Sequence, residues 1–469
     1  MNKDSITQKI WNLCHILRGD GVSYHEYISE LTYLLFLKYA EESKTEHLLP
    51  EGKRWSDLIS YSGDDILNYY REMLTYLGAH APDENVKKIY SFPTTVFSHS
   101  ENLKAVIEGI AKLDWYSMSG DGMGDIYEGL LAKSSQDARS GAGQYFTPRA
   151  LVDCIIRLIQ PAAGEVIQDP ATGSGGFLIS ADQHVRASIS PAQYELDPPR
   201  YEGIEIEKGT YRICLMNAFL HRLSSNIFLG DALTQDAEQL SPADVILANP
   251  PFGAKAGSAR KLRDDIVHTS TNKQLLFLQH IYLGLKSGGR AAVVLPDNVL
   301  FEDGVGRKIR QDLMEKCDLH TILRLPTGIF YSPGVKTNVL FFKKGRRDTG
   351  NTKVVWVYDM RYRSPRYGKK RPLRSEDFAS FEVAYGNGEM AARVDQGEGG
   401  RWRSFTRAAI AERFDNLDIS WLGETDADPE ASLTDPDDIT LAILGHLRAA
   451  LTEIEAVSEE IAEIAGGAS

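Results

Sequence analysis

The sequence predicts an α/β protein in which a helical region precedes a mostly parallel sheet and a coiled-coil-like helix ends the chain. Apolar, β-branched runs alternate with helical segments over residues 136–345, which is typical of a parallel sheet covered by helices on both faces. Residues 1–135 instead carry apolar residues at helical spacing. Residues 434–469 repeat apolar residues at three- and four-residue steps, close to a coiled-coil seam.

The helical region, residues 1–135, opens with apolar residues such as Ile6 and Ile10 on one helical face. Ser23 and Glu26 then fit a capping box at the start of a second apolar helix. The sequence of this region shows no cluster of catalytic side chains. We therefore expect a helical packing or partner-binding domain here.

The sheet region, residues 136–345, begins with a polar, glycine-bearing linker at 136–143. Seven apolar runs follow the linker, and each predicts one strand. Ligands of such sheets bind beyond the carboxyl ends of the strands, so functional side chains are expected there. The seven runs are EVIQDP, YEGIEIE, NIFLGDA, ADVILANP, RAAVVLP, LHTILRLP and TNVLFFKKG.

A mixed, polar extension at residues 346–433 separates the sheet from the final helix. It contains RYRSPRYGKKRPLR at 361–374, in which seven of fourteen residues are basic. This segment and KAGSARKLR at 255–263 are candidates for contacts with phosphate groups. A solvated loop is an equally good interpretation of both segments.

The overall composition limits the class of function. The formal net charge is −13, which argues against nucleic-acid binding by bulk electrostatics and leaves such binding to local basic patches or a partner's charge. The four cysteines form no CxxC pair, so we expect reduced thiols in a cytoplasmic protein and no metal site. No secretory signal is evident, and no apolar run approaches the roughly 18 residues of a membrane span.

A glycine-rich turn, QDPATGSGGFL at residues 168–178, follows the first predicted strand. A helix is expected to begin near Ser174. Glycines let a ligand approach the backbone closely, and the start of a helix offers free N–H groups. The stretch lacks the full G-x-G-x-x-G fingerprint of dinucleotide sites, so a purely structural turn is an equal alternative.

Four predicted strands end in polar side chains at the same edge of the sheet, namely Asp169, Glu205, Asp231 and Asn249. Glu205 stands where an α/β nucleotide site places an acid against ribose hydroxyls. Asp231 would reach the same edge and could accept a hydrogen bond from an adenine amino group. Any one of them could be an ordinary loop residue, but four in register predict a ligand site.

The segment GQYFTPRALVDCIIRLIQP, residues 143–161, predicts a helix with Thr147 as its N-cap and Pro148 as its first residue. Tyr145 and Phe146 stand just before the cap, where helix packing does not require aromatic rings. They could wall an adenine ring or a methionine chain. An ordinary capped helix is the alternative.

The most specific motif is Asn249-Pro250-Pro251-Phe252, which follows a buried strand. The two prolines fix two φ angles and remove two backbone donors. Asn249 Oδ1 and the Pro250 carbonyl can accept from the two hydrogens of a planar amine and thereby favour a tetrahedral, charged transition state. Phe252 can stack on a base taken out of the duplex. This chemistry requires no general base before methyl transfer, and no metal site is evident in the sequence.

These motifs resemble those of the modification subunit of type I restriction–modification enzymes, which are S-adenosyl-L-methionine-dependent DNA methyltransferases acting on adenine N6. The resemblance covers nearly the whole chain and implies a Rossmann-like, seven-stranded methyltransferase sheet at 136–345. One departure is Phe252, where stand-alone adenine methyltransferases often carry tyrosine; both rings stack. The matching segments are GQYFTPRALV, QDPATGSGGFLI, GIE, GDAL, ILANPPFG, LPDNVLFE and NVLFFKKG.

The resemblance also implies roles for individual residues. Asp169 would lie near the methionine amino group of the methyl donor, Glu205 would hold its ribose hydroxyls, and Asp231 would lie near its adenine. The further donor contacts would be Gln144, Tyr145, Phe146, Thr147, Pro148 and Arg149, with Ser174, Gly175 and Gly176. The target adenine would be held by Asn249, Pro250 and Phe252.

A second chain is expected to read the DNA sequence. A self-sufficient DNA methyltransferase needs a domain that reads base edges, and residues 346–433 look too mixed for that task. In the resembled family a specificity subunit does this, flanked by two modification subunits, and a restriction subunit can join to cleave unmethylated DNA. The helix at 434–469 would then pack on the specificity subunit.

Two other hypotheses remain open from the residues themselves. The Asn-Pro-Pro-aromatic loop serves planar amines generally, so methylation of cytosine N4, of RNA or of glutamine fits it as well. A non-catalytic scaffold that binds only DNA or partners is the other hypothesis, although a scaffold would not need all four polar residues at the strand ends.

Overall fold

The computed structural model divides into two compact units. The first unit comprises the described residues of 1–146 together with Thr172–Ile179 and Glu205–Leu229. The second comprises Thr147–Ala171, Ser180–Ile204 and the described residues of 230–469. The structure describes residues 3–18, 21–113, 115, 122–135, 147–253, 260–330, 336–365, 367–368, 371–386, 393–422, 443 and 447.

Helices account for the regular structure in the described part of residues 1–135, as predicted. The predicted capping box at the start of the second helix is confirmed, because Ser23 N donates to Glu26 Oε2 at 2.9 Å and Glu26 N donates to Ser23 Oγ at 3.2 Å. The helices are α1 (Lys3–Arg18), α2 (Tyr24–Glu42), α3 (Trp55–Leu58), α4 (Asp64–His80), α5 (Glu84–Ile89), α6 (Ser100–Ala111) and α7 (Gly122–Ser135).

Strands and helices alternate from residue 147 onward, and all seven predicted runs form strands. The elements are α8 (Arg149–Ile159), β1 (Val166–Asp169), α9 (Gly176–Ser188), α10 (Pro191–Leu196), β2 (Arg200–Glu205), α11 (Lys208–Leu220), β3 (Ser225–Leu229), β4 (Ala243–Ala248), α12 (Lys273–Gly284), β5 (Leu285–Pro296), α13 (Asn298–Phe301), α14 (Val305–Lys316), β6 (Cys317–Leu325), β7 (Thr337–Lys344), β8 (Val354–Asp359), α15 (Ala379–Tyr385), β9 (Trp402–Thr406) and α16 (Arg407–Glu412).

A buried arginine ties α11 to the N-terminal helices within the first unit. Arg212 Nη1 donates to Ser29 Oγ at 2.6 Å, and its Nε donates to the Ile89 carbonyl oxygen at 3.2 Å. The guanidinium carbon also lies 4.2 Å from the ring centroid of Tyr33. The helix that follows β2 therefore shares a core with helices from the beginning of the chain.

The sheet has nine strands in the order β3-β2-β1-β4-β5-β7-β6-β8-β9, rather than the seven predicted. Parallel pairs join β1 to β2, β1 to β4, β4 to β5 and β6 to β8, whereas β7 is antiparallel to both β5 and β6. The two additional strands are β8 and β9, which pair antiparallel. They lie within residues 346–433, where the surrounding polar sequence masks the apolar run VVWVYD.

The hydrophobic core of the second unit lies between the central strands and the helices that cover them. It joins Ile246 of β4 and Leu295 of β5 to Leu278 of α12, Leu313 of α14 and Ile410 of α16, and all five side chains are buried. Continuous apolar strands of this kind are expected in a sheet covered by helices. This packing fixes the strand ends from which the predicted site residues emerge.

The predicted helix at 434–469 lies outside the described residues, apart from Ile443 and Leu447, both of which are helical. All four cysteines are buried, and none forms a disulfide. In the part of the chain that the structure describes, no helix has the length and apolar character needed to cross a membrane. The same residues contain no cluster of three or more histidine, cysteine, aspartate or glutamate side chains that could hold a metal ion.

Candidate active site

The Asn-Pro-Pro-Phe motif begins immediately after β4. Asn249 Nδ2 donates a hydrogen bond to Thr147 Oγ1 at 3.1 Å, which fixes the orientation of the amide. Asn249 Oδ1 is buried and accepts no hydrogen bond from any described residue. Because a buried acceptor without a partner costs about 1–3 kcal/mol, this oxygen is suited to a donor that the described protein does not supply.

Helix α8 begins one residue later than the sequence predicts. Its N-cap is Pro148, whose ψ of 129° is extended, and its first helical residue is Arg149. The prediction of Thr147 as N-cap and Pro148 as first helical residue is therefore wrong by one position. The Thr147 hydroxyl accepts from the Asn249 side chain, and no side chain caps the helix.

The start of α12 holds the other end of the 249–253 loop. Gly253 has a φ of 111°, which favours glycine, and its carbonyl oxygen accepts from the Lys273 N–H at 3.1 Å. With its amide oriented to satisfy both contacts, Gln274 accepts from Gly253 N at 2.8 Å and donates to Gly253 O at 3.2 Å. The half-buried Phe252 thus lies in a loop that is fixed on both sides.

The strand register brings the predicted strand ends to one edge. The Asp169 carboxylate, at the end of β1, is buried and accepts from the Ala171 N–H at 3.0 Å. Asp169 pairs with Gly203, two residues before the end of β2, and Gln168 pairs with Ile246, two residues before the end of β4. Three adjacent parallel strands therefore end together, as the sequence predicts.

The glycine turn of the first unit brings its backbone into close contact with α11. Gly173 and Gly175 have φ angles of 55° and 83°, and a Cβ on Gly175 would lie 3.1 Å from Cys214 Sγ. The carbonyl oxygen of Ser174 accepts from Asn217 Nδ2 at 2.9 Å. Helix α9 begins two residues after the predicted start at Ser174. Close packing and positive φ angles thus both require glycine in this turn.

Glu205 is a buried carboxylate held by two backbone N–H groups. It is 5% exposed, and it accepts from Gly173 N at 3.0 Å and from Glu207 N at 2.8 Å. Burial raises the pKa of Glu205 to about 7, although these hydrogen bonds oppose the rise. The carboxyl group is therefore divided between its protonated and ionised forms near neutral pH.

Glu207 caps α11 and connects Glu205 to the helix α2. Its carboxylate accepts from the N–H groups of Gly209 and Thr210 and lies 3.3 Å from His25 Nε2. Burial opposes ionisation, but the hydrogen bonds from His25 and the backbone prevail and lower the pKa of Glu207 to about 2. These contacts fix the position of the ionised Glu207, whose backbone N–H donates a hydrogen bond to the Glu205 carboxylate.

Asp231 lies two residues after β3 and is buried. Its Oδ1 accepts from Leu233 N at 2.9 Å, and its own N–H donates to Asp236 Oδ2 at 2.9 Å. Asp236 in turn pairs with Arg260 at 2.6 Å. The local backbone therefore fixes the position of the Asp231 carboxylate.

The remaining predicted donor residues lie just before α8 or at its first position. Arg149 Nε donates to Asp153 Oδ1 at 2.9 Å, and the Thr147 hydroxyl is next to Asn249 as described above. The assignment of these residues to the methyl donor stays a prediction. The predicted residues that lie outside the described part of the chain are Gln144, Tyr145 and Phe146.

Comparison with known proteins decides the family. Residues 118–426 match the family model described as N-6 DNA Methylase, and residues 6–110 match the HsdM N-terminal domain. The chain is 42% identical to the type I restriction enzyme StySPI methylase subunit of Salmonella potsdam, over 98% of this chain and 96% of that one. The EcoKI methylase subunit of Escherichia coli K12 gives the same identity and coverage. The chain belongs to the family of type I N-6 DNA methylase subunits.

A solved chain of a type I R-M system has the same architecture as this N-6 DNA methylase. The two superpose with a TM-score of 0.73 at 26% identity over 99% of both chains. The family, the α/β fold and the activity predicted from the sequence are therefore confirmed. The N-6 DNA methylase described here is an adenine-specific DNA methyltransferase.

Sequence reasoning overlooked one exposed apolar residue of this N-6 DNA methylase. Ile206 follows Glu205 directly and is 61% exposed, although it stands between two acids that are both hydrogen-bonded. The available signal was the apolar residue after the strand-ending acid in GIEIE. The position offers an apolar surface beside a carboxylate, which suits the ring of a nucleoside.

In both basic segments of the N-6 DNA methylase, some of the cationic side chains form ion pairs with acids of the same chain. In the segment after the 249–253 loop, Arg260 pairs with Asp236 and Lys261 with Asp264, each at 2.6 Å. In the 361–374 segment, the Arg361 guanidinium donates hydrogen bonds to both carboxylate oxygens of Asp297. These cations are therefore partly neutralised within the protein.

The Arg361–Asp297 pair also crosslinks strand ends. Arg361 donates to the carbonyl oxygens of Leu325 and Thr337 at 3.0 Å each, and Asn338 Nδ2 donates to Asp297 Oδ1 at 2.7 Å. Burial opposes ionisation of Asp297, but the hydrogen bonds and charge of Arg361 prevail and lower its pKa. Arg361 is thus a structural residue within a segment that the sequence suggested for phosphate contacts.

Proposed function

We propose that this N-6 DNA methylase transfers the methyl group of S-adenosyl-L-methionine to N6 of an adenine flipped out of duplex DNA. One observation carries the proposal, namely the buried Asn249 Oδ1 without a hydrogen-bond partner among the described residues. It follows the strand that ends beside the β1 acid, where a nucleotide site is expected. An amino hydrogen of adenine is the donor that this oxygen suits.

The strand-end residues fit the methyl donor. When bound, S-adenosyl-L-methionine supplies an electrophilic methyl group on a sulfonium. Glu205 accepts from its ribose hydroxyls, Ile206 packs on its adenine, and Asp231 lies at the edge of that ring. Asp169 accepts from its ammonium group. The further donor contacts are assigned to Gln144, Tyr145, Phe146, Thr147, Pro148 and Arg149, with Ser174, Gly175 and Gly176.

Methyl transfer relies on the acceptors of the Asn249 loop. The lone pair of an adenine amine is delocalised into the ring, so N6 is a weak nucleophile. Asn249 Oδ1 and the Pro250 carbonyl accept from its two hydrogens and stabilise the positive charge that develops as N6 becomes tetrahedral. Phe252 stacks on the flipped ring. N6 gives its electron pair to the methyl carbon while the bond between that carbon and the donor's sulfur breaks and leaves its electron pair on sulfur. N6 then releases one proton to solvent.

Sequence recognition is assigned to a separate specificity subunit. The relatives are methylase subunits of type I restriction enzymes, and a similar solved chain comes from work on complex assembly in a type I R-M system. We infer that two copies of this chain flank one specificity subunit in the cytoplasm, and that a restriction subunit joins them. The helix predicted at 434–469 provides the contact with the specificity subunit.

Product analysis tests this function. The chain assembled with its specificity subunit should methylate duplex DNA only when S-adenosyl-L-methionine is supplied, and mass spectrometry of the digested DNA should find N6-methyladenine. The chain alone should bind the donor and methylate DNA negligibly. Methylated cytosine, RNA or glutamine as the only product would overturn the assignment, as would robust site-specific methylation without the partner.

Donor affinity is expected to increase with pH because of Glu205. Ribose hydroxyls donate to the ionised carboxylate, and the pKa of about 7 leaves Glu205 mostly protonated at pH 6 and mostly ionised at pH 8. Calorimetry on the unliganded chain should therefore show an increase in affinity of about tenfold from pH 6 to pH 8. Glu205→Gln should bind weakly and without this pH dependence. A flat profile for the wild-type chain would contradict the role of Glu205.

The raised pKa of Glu205 makes the folded chain less stable as the pH rises, which is opposite in direction to its effect on donor affinity. Since the folded state holds the Glu205 proton up to about pH 7 and the unfolded chain releases it near pH 4.3, the folded state binds more protons between these values. The stabilisation from this group is present below the unfolded pKa and is lost as the pH rises through about 7. Weaker donor binding at pH 6 therefore cannot be attributed to loss of this stabilisation.

A further inference from the structure

A groove of about 650 Å³ lies between the α13–α14 segment and residues 413–416 of the second unit. We call it the 301–416 groove. Phe301, Arg307 and Lys308 line one side, and Arg413 and Phe414 line the other. The two phenylalanines are 44% and 67% exposed. The groove thus combines three cations and one carboxylate, that of Asp303, with two accessible aromatic rings.

The walls of the 301–416 groove are fixed by a buried arginine. Arg310 Nε donates to the Asp415 carbonyl oxygen at 2.8 Å, and its Nη1 donates to the Val299 and Glu302 carbonyl oxygens at 3.1 and 2.8 Å. Phe414 and Asp415 both have positive φ angles, 56° and 59°, a conformation that costs of order 1–3 kcal/mol for each non-glycine residue. This backbone holds the Phe414 ring exposed in a preformed surface.

Two of the three cations of the 301–416 groove form no ion pair with acids of the described residues. Among the described residues, Lys308 and Arg413 make no ion pair. Arg307 pairs with the buried Asp415 at 3.2 Å, and its guanidinium carbon lies 5.3 Å from the Phe414 ring centroid. Arg260 and Lys261, in contrast, both pair with acids. The groove is therefore a local exception in a chain with a net charge of −13.

The 301–416 groove lies at the edge of the sheet that carries the Asn249 loop. β5 is parallel to β4, and α13 follows the end of β5 after one residue. Glu302, at the end of α13, accepts from Asn272 Nδ2 at 2.8 Å. Asn272 caps α12, whose first N–H, that of Lys273, holds the Gly253 carbonyl. Hydrogen bonds thus connect the groove wall to the end of the loop.

We infer that the 301–416 groove binds the sugar–phosphate backbone of the substrate DNA beside the flipped adenine. Lys308, Arg413 and Arg307 contact phosphates, and the rings of Phe301 and Phe414 pack on deoxyribose. Position favours DNA over an acidic protein segment, because the wall of the groove is hydrogen-bonded to the support of the target-base loop. This inference rests on the proposed function, which makes duplex DNA the substrate.

The test uses the methyltransferase assembled with its specificity subunit. In the K308Q/R413Q variant, log K for duplex binding should fall less steeply with log salt, by about 2 for each copy of the chain, because each lost phosphate contact removes about 0.9 from the slope. The loss of affinity should be the same for duplexes with and without the target site. KM for DNA should rise, while kcat and donor affinity stay unchanged.

Two control variants are needed. One tests whether any loss of two cations changes the salt slope, and the other tests the contribution of the Phe414 ring. R346Q/R347Q removes two exposed cations after β7, which runs antiparallel to β5 and so ends at the opposite edge of the sheet; its salt slope should equal that of the wild type. Phe414→Ala should weaken DNA binding without changing the slope.

Unchanged affinity and slope in K308Q/R413Q, with the wild-type enzyme active, would overturn the groove assignment. Loss of specificity-subunit binding in that variant, with normal DNA affinity of any assembled enzyme, would also overturn it and indicate an acidic protein partner. Failure of the wild-type complex to methylate DNA at all would instead refute the proposed function.

Discussion

Asn249→Ala is expected to lower kcat for adenine methylation by about 10²–10³-fold, the typical cost of removing one transition-state hydrogen-bonding group. The physical reason is the buried Oδ1 that accepts from no described residue, since this oxygen is suited to hydrogen-bond N6 most strongly when N6 carries positive charge. The affinity for S-adenosyl-L-methionine should not change, because the residues assigned to the donor are untouched. Kinetic assays should therefore show the lowered kcat, and calorimetry should show a donor affinity equal to that of the wild type.

Thr147→Val is the matched control for Asn249→Ala. It keeps the shape of the side chain but removes the hydroxyl that accepts from Asn249 Nδ2 at 3.1 Å. Because the acceptor oxygen of Asn249 remains, the loss of kcat at saturating S-adenosyl-L-methionine should be smaller than that of Asn249→Ala. Saturation is needed because Thr147 is also assigned to the methyl donor. Turnover of Asn249→Ala equal to wild type would refute the assigned role, and so would a loss explained entirely by weaker donor binding.

Arg361→Ala is expected to destabilise the folded chain by about 3–5 kcal/mol, because it leaves a charge without its partner in a mostly buried site. The side chains of Arg361 and Asp297 are only 11% and 18% exposed. Urea denaturation at pH 7 should show this loss as a lower midpoint. Arg363→Ala removes an exposed cation from the same segment and should change stability by no more than about 0.5 kcal/mol.

The effect of Arg361→Ala should also depend on pH. The folded-state pKa of Asp297 is lowered by Arg361, so the stabilisation from this pair is present above the unfolded value of about 3.9 and is lost as the pH falls below it. The difference between wild type and variant should therefore shrink in acid. Equal stability of the two proteins at pH 7 would show that the pair does not crosslink the strand ends.

Strands β1–β7 were predictable from their apolar runs, whereas β8 and β9 were not. The central strand β4 coincides with the run ADVILANP, because a strand buried on both faces is apolar. The edge strand β3 is marked by the run NIFL, although most of its residues are only partly buried. β8 contains the apolar run VVWVYD but lies within a polar, mixed segment. β9, WRSFT, has only two apolar residues in five positions and no such run. Its place beside β8 is a tertiary pairing that composition does not reveal.

The residues at the strand ends were predictable because parallel strands must end at one edge. The contacts that fix them were not, since they join distant positions in the chain. Thr147 and Asn249 are separated by 102 residues, and the capping rule alone assigned the Thr147 hydroxyl to a helix end. The pKa of Glu205 likewise depends on burial that no local pattern of charges indicates.

The contact between Arg212 and Ser29 affects how the chain is made. The two residues are 183 positions apart, and protein synthesis proceeds at roughly 5–20 residues per second. The N-terminal helices therefore leave the ribosome about 10–40 seconds before the arginine that completes their core. During that interval the side of α2 that carries Tyr33 has no α11 to cover it. The first unit can finish folding only after β1 and β2 have been synthesised, because both precede α11 in the chain.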